Sequence, residues 1–194
     1  MKAAVSRSPL ARLGVVQAAV PLVVMLAVIP TFTAGWYTDY VGQTFGYNRE
    51  GNTIEHRGRT YYHGREAAAV AARELLDEVE QVSSPGDRLV VGQTGGPRPE
   101  DDTPFAFTSY SEVHLYYLLP QLEPGTYFIE MDPGLANAEG SGLAEEVADA
   151  DVVILSSLYD DWTEPNDSLE PGSDEPAEVL ADEFCRHGRY GEGS

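Results

Sequence analysis

Cysteine and lysine are almost absent from this 194-residue chain, and their scarcity excludes some classes of structure and partner. Cys185 is the only cysteine, so no disulfide can form within the chain and no zinc site can be built on cysteine ligands. Lys2 is the only lysine, and 12 basic residues stand against 32 acidic ones, for a formal net charge of −20. Because nucleic acid requires a basic surface, this balance argues against a nucleic-acid partner.

Charge is also absent from an apolar run at residues 13–36, which follows Lys2, Arg7 and Arg12. A membrane-spanning helix needs roughly 20 apolar residues, so the run predicts a transmembrane anchor. Basic residues before such a helix keep residues 1–12 in the cytoplasm and place the remainder outside the membrane. We therefore expect a single-pass protein of the cell membrane whose C-terminal domain is extracytoplasmic.

A cleaved signal peptide is the alternative, because basic residues before an apolar stretch are typical of both segments. A cut after Ala34 would place Phe32 where signal peptidase requires a small residue. The apolar run is also longer than the 7–15 residues that are usual in a signal peptide. We therefore favour the uncleaved anchor.

The part beyond the anchor carries nine arginines against all 32 acidic residues, a formal charge of −23. Such a surface is typical of a solvated, soluble domain, and it leaves cations and basic partners open. We divide this part into a juxtamembrane segment with a β-hairpin at residues 37–65 and an α/β domain at 66–194.

Hydrophobic periodicity predicts helices and strands in alternation after the hairpin. The order of strand, helix, strand, helix and strand is typical of a small parallel Rossmann-like sheet flanked by helices. The uninterrupted apolar residues 152–155 predict a strand that is buried on both faces. The predicted elements are a turn at Arg57-Gly58, helices at 65–82, 111–119 and 142–149, and strands at 88–92, 126–131 and 151–157. A last helix is predicted with Asp174 or Glu175 near its start, Pro176 as its first residue and Gly188 as its stop.

Polar side chains follow these strands, and ligands of open parallel sheets bind outside the carboxyl ends of the strands. Carboxylates and amides can hold a hard cation, while an aromatic ring among them can stack on a sugar. No cofactor is predicted, although a divalent cation would fit. The alternative is that these residues cap turns and helices. The candidate ligand-binding residues are Glu130, Asp132, Asn137, Asp160, Asp161, Trp162 and Asn166.

The remaining chemistry-bearing residues show no recognised motif. The glycines after the first sheet strand lack the pattern of a phosphate-binding loop, and Ser141 is not in a nucleophile motif. The four histidines, His56, His63, His114 and His187, are scattered along the sequence, so we expect them to have packing or surface roles. No catalytic residue and no metal ligand can be named from these patterns.

The stretch "LYYLLPQLEPGTYFIEMDPGLANAEGSGLAEEVADADVVILSSLYDDWTEPNDS", with the later "GSDEP" and "FCRHGRYG", resembles a region of known membrane proteins. That region is the C-terminal extracytoplasmic part of actinobacterial multi-spanning proteins grouped with the GT-C glycosyltransferases, which use polyprenyl-phosphate sugars. The resemblance covers about residues 86–191. It does not include the catalytic loop of such enzymes, so it implies no catalytic residue here.

Three functions follow as hypotheses. The favoured one is a non-catalytic accessory or binding module in cell-envelope glycan assembly, with a multi-spanning membrane protein as its possible partner. The second is a stand-alone enzyme that acts on an envelope carbohydrate or a lipid-linked sugar through Glu130, Asp132 and Asp160 or Asp161. The third is a split or remnant part of a GT-C-like glycosyltransferase.

Overall fold

The computed structural model describes residues 19–26, 28–29, 51–96, 98, 101–107, 112–128, 135–160 and 171–191. The chain divides into two compact units, Met1–Glu50 and Gly51–Ser194. In the first unit the described residues are helical, and we call this helix α1. None of the helices within the described ranges combines the length and apolarity that a bilayer crossing needs. Most of the predicted anchor at 13–36 lies outside these ranges, so the anchor stays a prediction.

The second unit begins with a β-hairpin. Strands β1 (Thr53–His56) and β2 (Arg59–Tyr62) are antiparallel, and His56 lies opposite Arg59. Both turn residues have positive φ angles, 48° at Arg57 and 74° at Gly58. Two such residues form the tight turn whose twist matches that of paired strands, so the predicted turn at Arg57-Gly58 is confirmed.

The remaining elements form a mixed α/β structure. A three-stranded parallel sheet has the order β4-β3-β5, so the first strand of the sheet along the chain lies in its centre. This confirms the predicted parallel sheet with alternating helices. The elements are α2 (Glu66–Val82), β3 (Arg88–Gln93), α3 (His114–Leu118), β4 (Glu123–Pro124), α4 (Leu143–Ala148), β5 (Val152–Ser156) and α5 (Glu175–Glu183).

Helices cover both faces of the sheet because side chains alternate along β3 and β5. One core cluster packs Leu89, Val91 and Ile154 against α2 and α3. The other packs Val90 against α4, with Val153 and Leu155 beside it and residues of α5 at its margin. The hydrophobic run of each strand therefore contributes side chains to both core clusters.

Strand β5 is less buried than its sequence predicted. Its side chains reach both core clusters, but only Ile154 is fully buried, whereas β3 is buried from Leu89 to Gln93. The reason is position, since β3 has a strand on each side while β5 pairs with β3 alone among the described strands.

Two predicted boundaries are wrong. The described part of the predicted strand at 126–131, residues 126–128, is not paired, and the strand beside β3 is Glu123–Pro124. The last helix ends at Glu183, not near Gly188. Phe184 takes an extended conformation and packs against the core cluster of α4, which draws the chain out of the helix.

Candidate functional site

The carboxyl ends of β3 and β5 meet at one edge of the sheet. The register pairs Gln93 with Ser156, and the backbone N–H of Thr94 donates to the carbonyl of Ser156 at 3.1 Å. The Thr94 hydroxyl donates to the Asp160 carboxylate. The structure therefore brings Asp160, one of the predicted ligand-binding residues, to the end of the strand that precedes Thr94.

A nearly buried carboxylate lies beside this edge. The side chain of Glu112 is 8% exposed, and its two oxygens have different partners. Oε1 accepts a hydrogen bond from the Ser156 hydroxyl at 3.2 Å, and Oε2 lies 3.0 Å from Nδ1 of His114. Because a carboxylate only accepts, Nδ1 of His114 carries the hydrogen of this contact.

The hairpin contributes an aromatic ring to the same place. The ring of Tyr61 in β2 stacks on that of His114, with centroids 4.3 Å apart and planes 6° from parallel. His63, one residue beyond β2, lies edge-on to both rings, with its centroid 5.7 Å from that of His114. We call the connected group the strand-end cluster; its residues are Tyr61, Thr94, Glu112, His114, Ser156 and Asp160.

Burial and neighbouring charges perturb the acid–base groups around the cluster. Burial raises the pKa of Tyr61, and nearby Tyr159 and Glu112 raise it further. Burial raises the pKa of Tyr159 as well, with Glu112 acting in the same direction and the Arg65 guanidinium opposing it. Both tyrosines therefore keep their hydroxyl protons and can donate hydrogen bonds at neutral pH.

Arg65 lies at the margin of the strand-end cluster. The guanidinium carbon of Arg65 lies 5.6 Å from the centre of the Tyr159 ring, and Nη1 donates to the carbonyl of Leu158 at 3.2 Å. These contacts hold the side chain across the segment that follows β5. A guanidinium in this position can bind a negatively charged or strongly polar group of a ligand.

Asn137 is held in a different environment from Asp160. Its side chain is buried, and Nδ2 donates to the carbonyl of Ala106 at 2.5 Å. The Asn137 carbonyl accepts the N–H of Ser173 at 2.7 Å. A Cβ atom on Gly172 would lie 2.4 Å from this carbonyl, so glycine allows the close approach. These contacts tie three loops together, whereas the predicted role in binding a ligand stays a prediction.

The other candidate residues cannot be placed. Glu130, Asp132, Asp161, Trp162 and Asn166 lie outside the described residues. Within the described ranges, no three histidine, cysteine or acidic side chains are grouped so that they could hold a metal ion. A divalent cation site therefore stays a prediction, because it would depend on carboxylates that the structure does not describe.

No protein-family model, no curated protein and no solved structure matches this chain. The resemblance to the GT-C group therefore stays an expectation from sequence, and the site is argued from its geometry.

Sequence reasoning missed the residues that gather most closely. His63 and His114, for which packing or surface roles were predicted, have rings 5.7 Å apart, and Glu112 was not a candidate. His56 and His187 each lie beside a glutamate elsewhere, Glu80 and Glu78. One signal was present, since residues two apart at a strand end share a face, as Tyr61 and His63 do. Their contact with a helix 50 residues away has no local signal.

Proposed function

We propose that this chain is an extracytoplasmic, membrane-anchored α/β module that binds a carbohydrate at its strand-end cluster and serves as an accessory part of cell-envelope glycan assembly. The anchor is supported by the uncharged run at 13–36 and the basic residues before it. The envelope role is supported by the resemblance to the GT-C group.

One observation carries the binding function. Side chains from β2, the segment before α3 and the ends of β3 and β5 converge at the carboxyl edge of a parallel sheet. This edge is where open parallel sheets bind their ligands.

The side chains at this edge suit a sugar better than an anion. The carboxylate of Asp160 accepts hydrogen bonds, which the hydroxyls of a sugar can donate. The rings of Tyr61 and Tyr159 offer apolar faces with a polar end. Among the residues that the structure describes, a free phosphate would meet the carboxylates of Glu112 and Asp160, with Arg65 as a cationic partner at the margin. Hydroxyl-rich ligands therefore match the charge and the chemistry of the cluster.

The test is isothermal titration calorimetry on the full chain in mild detergent. The probes are arabinose, galactose, mannose and N-acetylglucosamine, each with and without Ca²⁺, Mg²⁺ or Mn²⁺. We expect one sugar to bind, and we expect Asp160→Asn to weaken it roughly 10- to 100-fold, because a hydrogen bond to a charged group is worth about 1.5–3 kcal/mol. Asp182→Asn, on the exposed face of α5, is the matched control and should leave the affinity unchanged.

Two outcomes would contradict the proposal. If none of the four sugars binds, with or without metal, the proposal that the ligand is a carbohydrate is wrong. Binding that Asp160→Asn leaves unaltered would place the site elsewhere in the chain. Thermal melting gives a second readout, since a ligand at 100 times its dissociation constant adds about 2.7 kcal/mol of stability.

A stand-alone enzyme is the second candidate, and one contact favours it. The pairing of Glu112 with Nδ1 of His114 orients the imidazole so that Nε2 can take a proton, as in a general base. Such an enzyme would cleave or transfer an envelope sugar. We would then expect His114→Gln to abolish turnover while the melting temperature stays close to that of the wild type, whereas the accessory module shows no turnover in either form.

A further inference from the structure

The junction between the hairpin and α2 contains a buried histidine with an unusual acceptor role. His63 is 4% exposed, and its Nδ1 accepts the backbone N–H of Arg65 at 3.0 Å. Its own backbone N–H donates to the carbonyl of Asn52, and its carbonyl accepts Nδ2 of Asn52, both at 2.9 Å. The Asn52 bonds therefore fix the backbone of His63, while the Arg65 N–H orients its ring with Nδ1 as an unprotonated acceptor.

The bond from Arg65 matters because Arg65 is the N-cap of α2, and its N–H needs an acceptor. The Arg65 side chain itself makes no capping hydrogen bond. In a capping box, a glutamate or glutamine three residues later accepts the N–H of the N-cap residue. Ala68 stands at that position and has no acceptor. His63 therefore fills this role from the preceding side.

Charged and titratable groups surround the ring on every packed element. Tyr61 faces it from β2, His114 from α3, Glu112 from the segment before α3, and Arg65 from its own junction. Burial lowers the pKa of His63, Glu112 opposes this effect, and the charges of His114 and of the Arg65 guanidinium lower the pKa further. Glu112 offers limited compensation for a new charge because His114 and Ser156 already contact its two oxygens.

We propose that His63 is an acid-sensitive latch, whose protonation at Nδ1 removes the acceptor of the Arg65 N–H and loosens the contact of the hairpin with the strand-end cluster. A protonated Nδ1 is a donor, so it cannot keep a hydrogen bond from another donor. The His63 ring, which packs edge-on against Tyr61 and His114, would then no longer hold their stacked rings in place. Acid would therefore weaken ligand binding at the cluster, a consequence that rests on the proposed function.

Nuclear magnetic resonance can test the latch without any ligand. The ring signals of the four histidines and the backbone amide signal of Arg65 would be followed on the full chain in detergent between pH 8 and 4.5. We expect His63 to titrate below the ordinary histidine value of about 6.5, and the Arg65 amide to move along the same curve. Titration of His63 at or above the ordinary value, or an Arg65 amide that does not respond, would overturn the proposal.

A variant links the titration to stability. His63→Asn keeps an acceptor near the position of Nδ1 but cannot be protonated. Because the folded wild type binds this proton less tightly than the unfolded chain, its stability should fall as the pH drops below about 6.5. Relative to His63→Asn, the wild type should lose roughly 3–5 °C of melting temperature for each tenfold difference in proton affinity.

His187→Asn is the matched control, because His187 is an exposed histidine beside Glu78. It should follow the wild type from pH 7.5 to 5.5. An identical pH dependence in the wild type and His63→Asn would refute the latch, and the resonance titration decides the matter if His63→Asn does not fold. Neither readout depends on a sugar, so failure of the binding function and failure of the latch are distinguishable.

Discussion

Polar side chains are buried in two different ways in the unit from Gly51 to Ser194. Asn137 and Tyr116 are joined to the backbone, through the carbonyl of Ala106 and the N–H of Val91. Glu112, by contrast, is contacted by the side chains of Ser156 and His114. Backbone partners cannot rotate away or be replaced by a ligand, whereas side-chain partners can. The first kind therefore stabilises the fold, and the second kind is available for binding and for a response to pH.

The largest loss of stability should come from removing a polar side chain that is bonded to the backbone. Asn137→Ala removes a buried hydrogen bond and leaves a cavity where three loops meet, so we expect a loss of about 2–3 kcal/mol in the free energy of unfolding. Urea denaturation of the full chain, followed by far-ultraviolet circular dichroism, measures it. Gln81→Ala, which removes an exposed amide on α2, should cost less than about 0.5 kcal/mol. Equal costs would show that Asn137 has no special structural role.

Tyr116 should give an intermediate effect that depends on pH. Its hydroxyl accepts the N–H of Val91 in β3 at 2.9 Å, and burial raises its pKa to about 12. Since the unfolded chain ionises near pH 10, the stability from this residue is present below pH 10 and is lost as the pH rises toward 12.

Tyr116→Phe should cost about 1–2 kcal/mol at neutral pH, because it leaves a buried N–H without its acceptor. It should also remove the tyrosine that ionises last in an ultraviolet absorbance titration. Tyr127→Phe is the control, since Tyr127 is 86% exposed, and it should change neither measurement noticeably. If the titration of Tyr116→Phe instead lacks a tyrosine that ionises near pH 10, the raised pKa does not belong to Tyr116.

The smallest effect should come from the side-chain network. In Glu112→Gln the amide oxygen can still accept from His114, and the amide nitrogen can donate to the Ser156 hydroxyl after it rotates. We therefore expect a loss of only about 1 kcal/mol, measured by the same urea denaturation. If Glu112→Gln lowers the free energy of unfolding more than Asn137→Ala does, the distinction between the two kinds of buried polar group is wrong. The strand-end cluster would then serve to stabilise the fold.

Local patterns in the sequence determined much of the fold. The turn at Arg57-Gly58, helix α2 and strand β3 depend on neighbouring residues, through turn conformation, helical spacing and a short apolar run. The alternation of strands and helices also determined that the sheet is parallel. Within the candidate site, the same topology was enough to bring Thr94 and Asp160 to one edge.

Only the tertiary structure decided the position of β4, the end of α5 and the partners of Glu112. Residues 123–124 were not predicted as a strand because two residues carry no periodicity, and their strand geometry comes from pairing with β3. Phe184 leaves α5 because a distant core accepts it. Tyr61 and His114 meet because the hairpin packs on α3, and contacts between residues so far apart in the chain depend on packing that no local sequence pattern records.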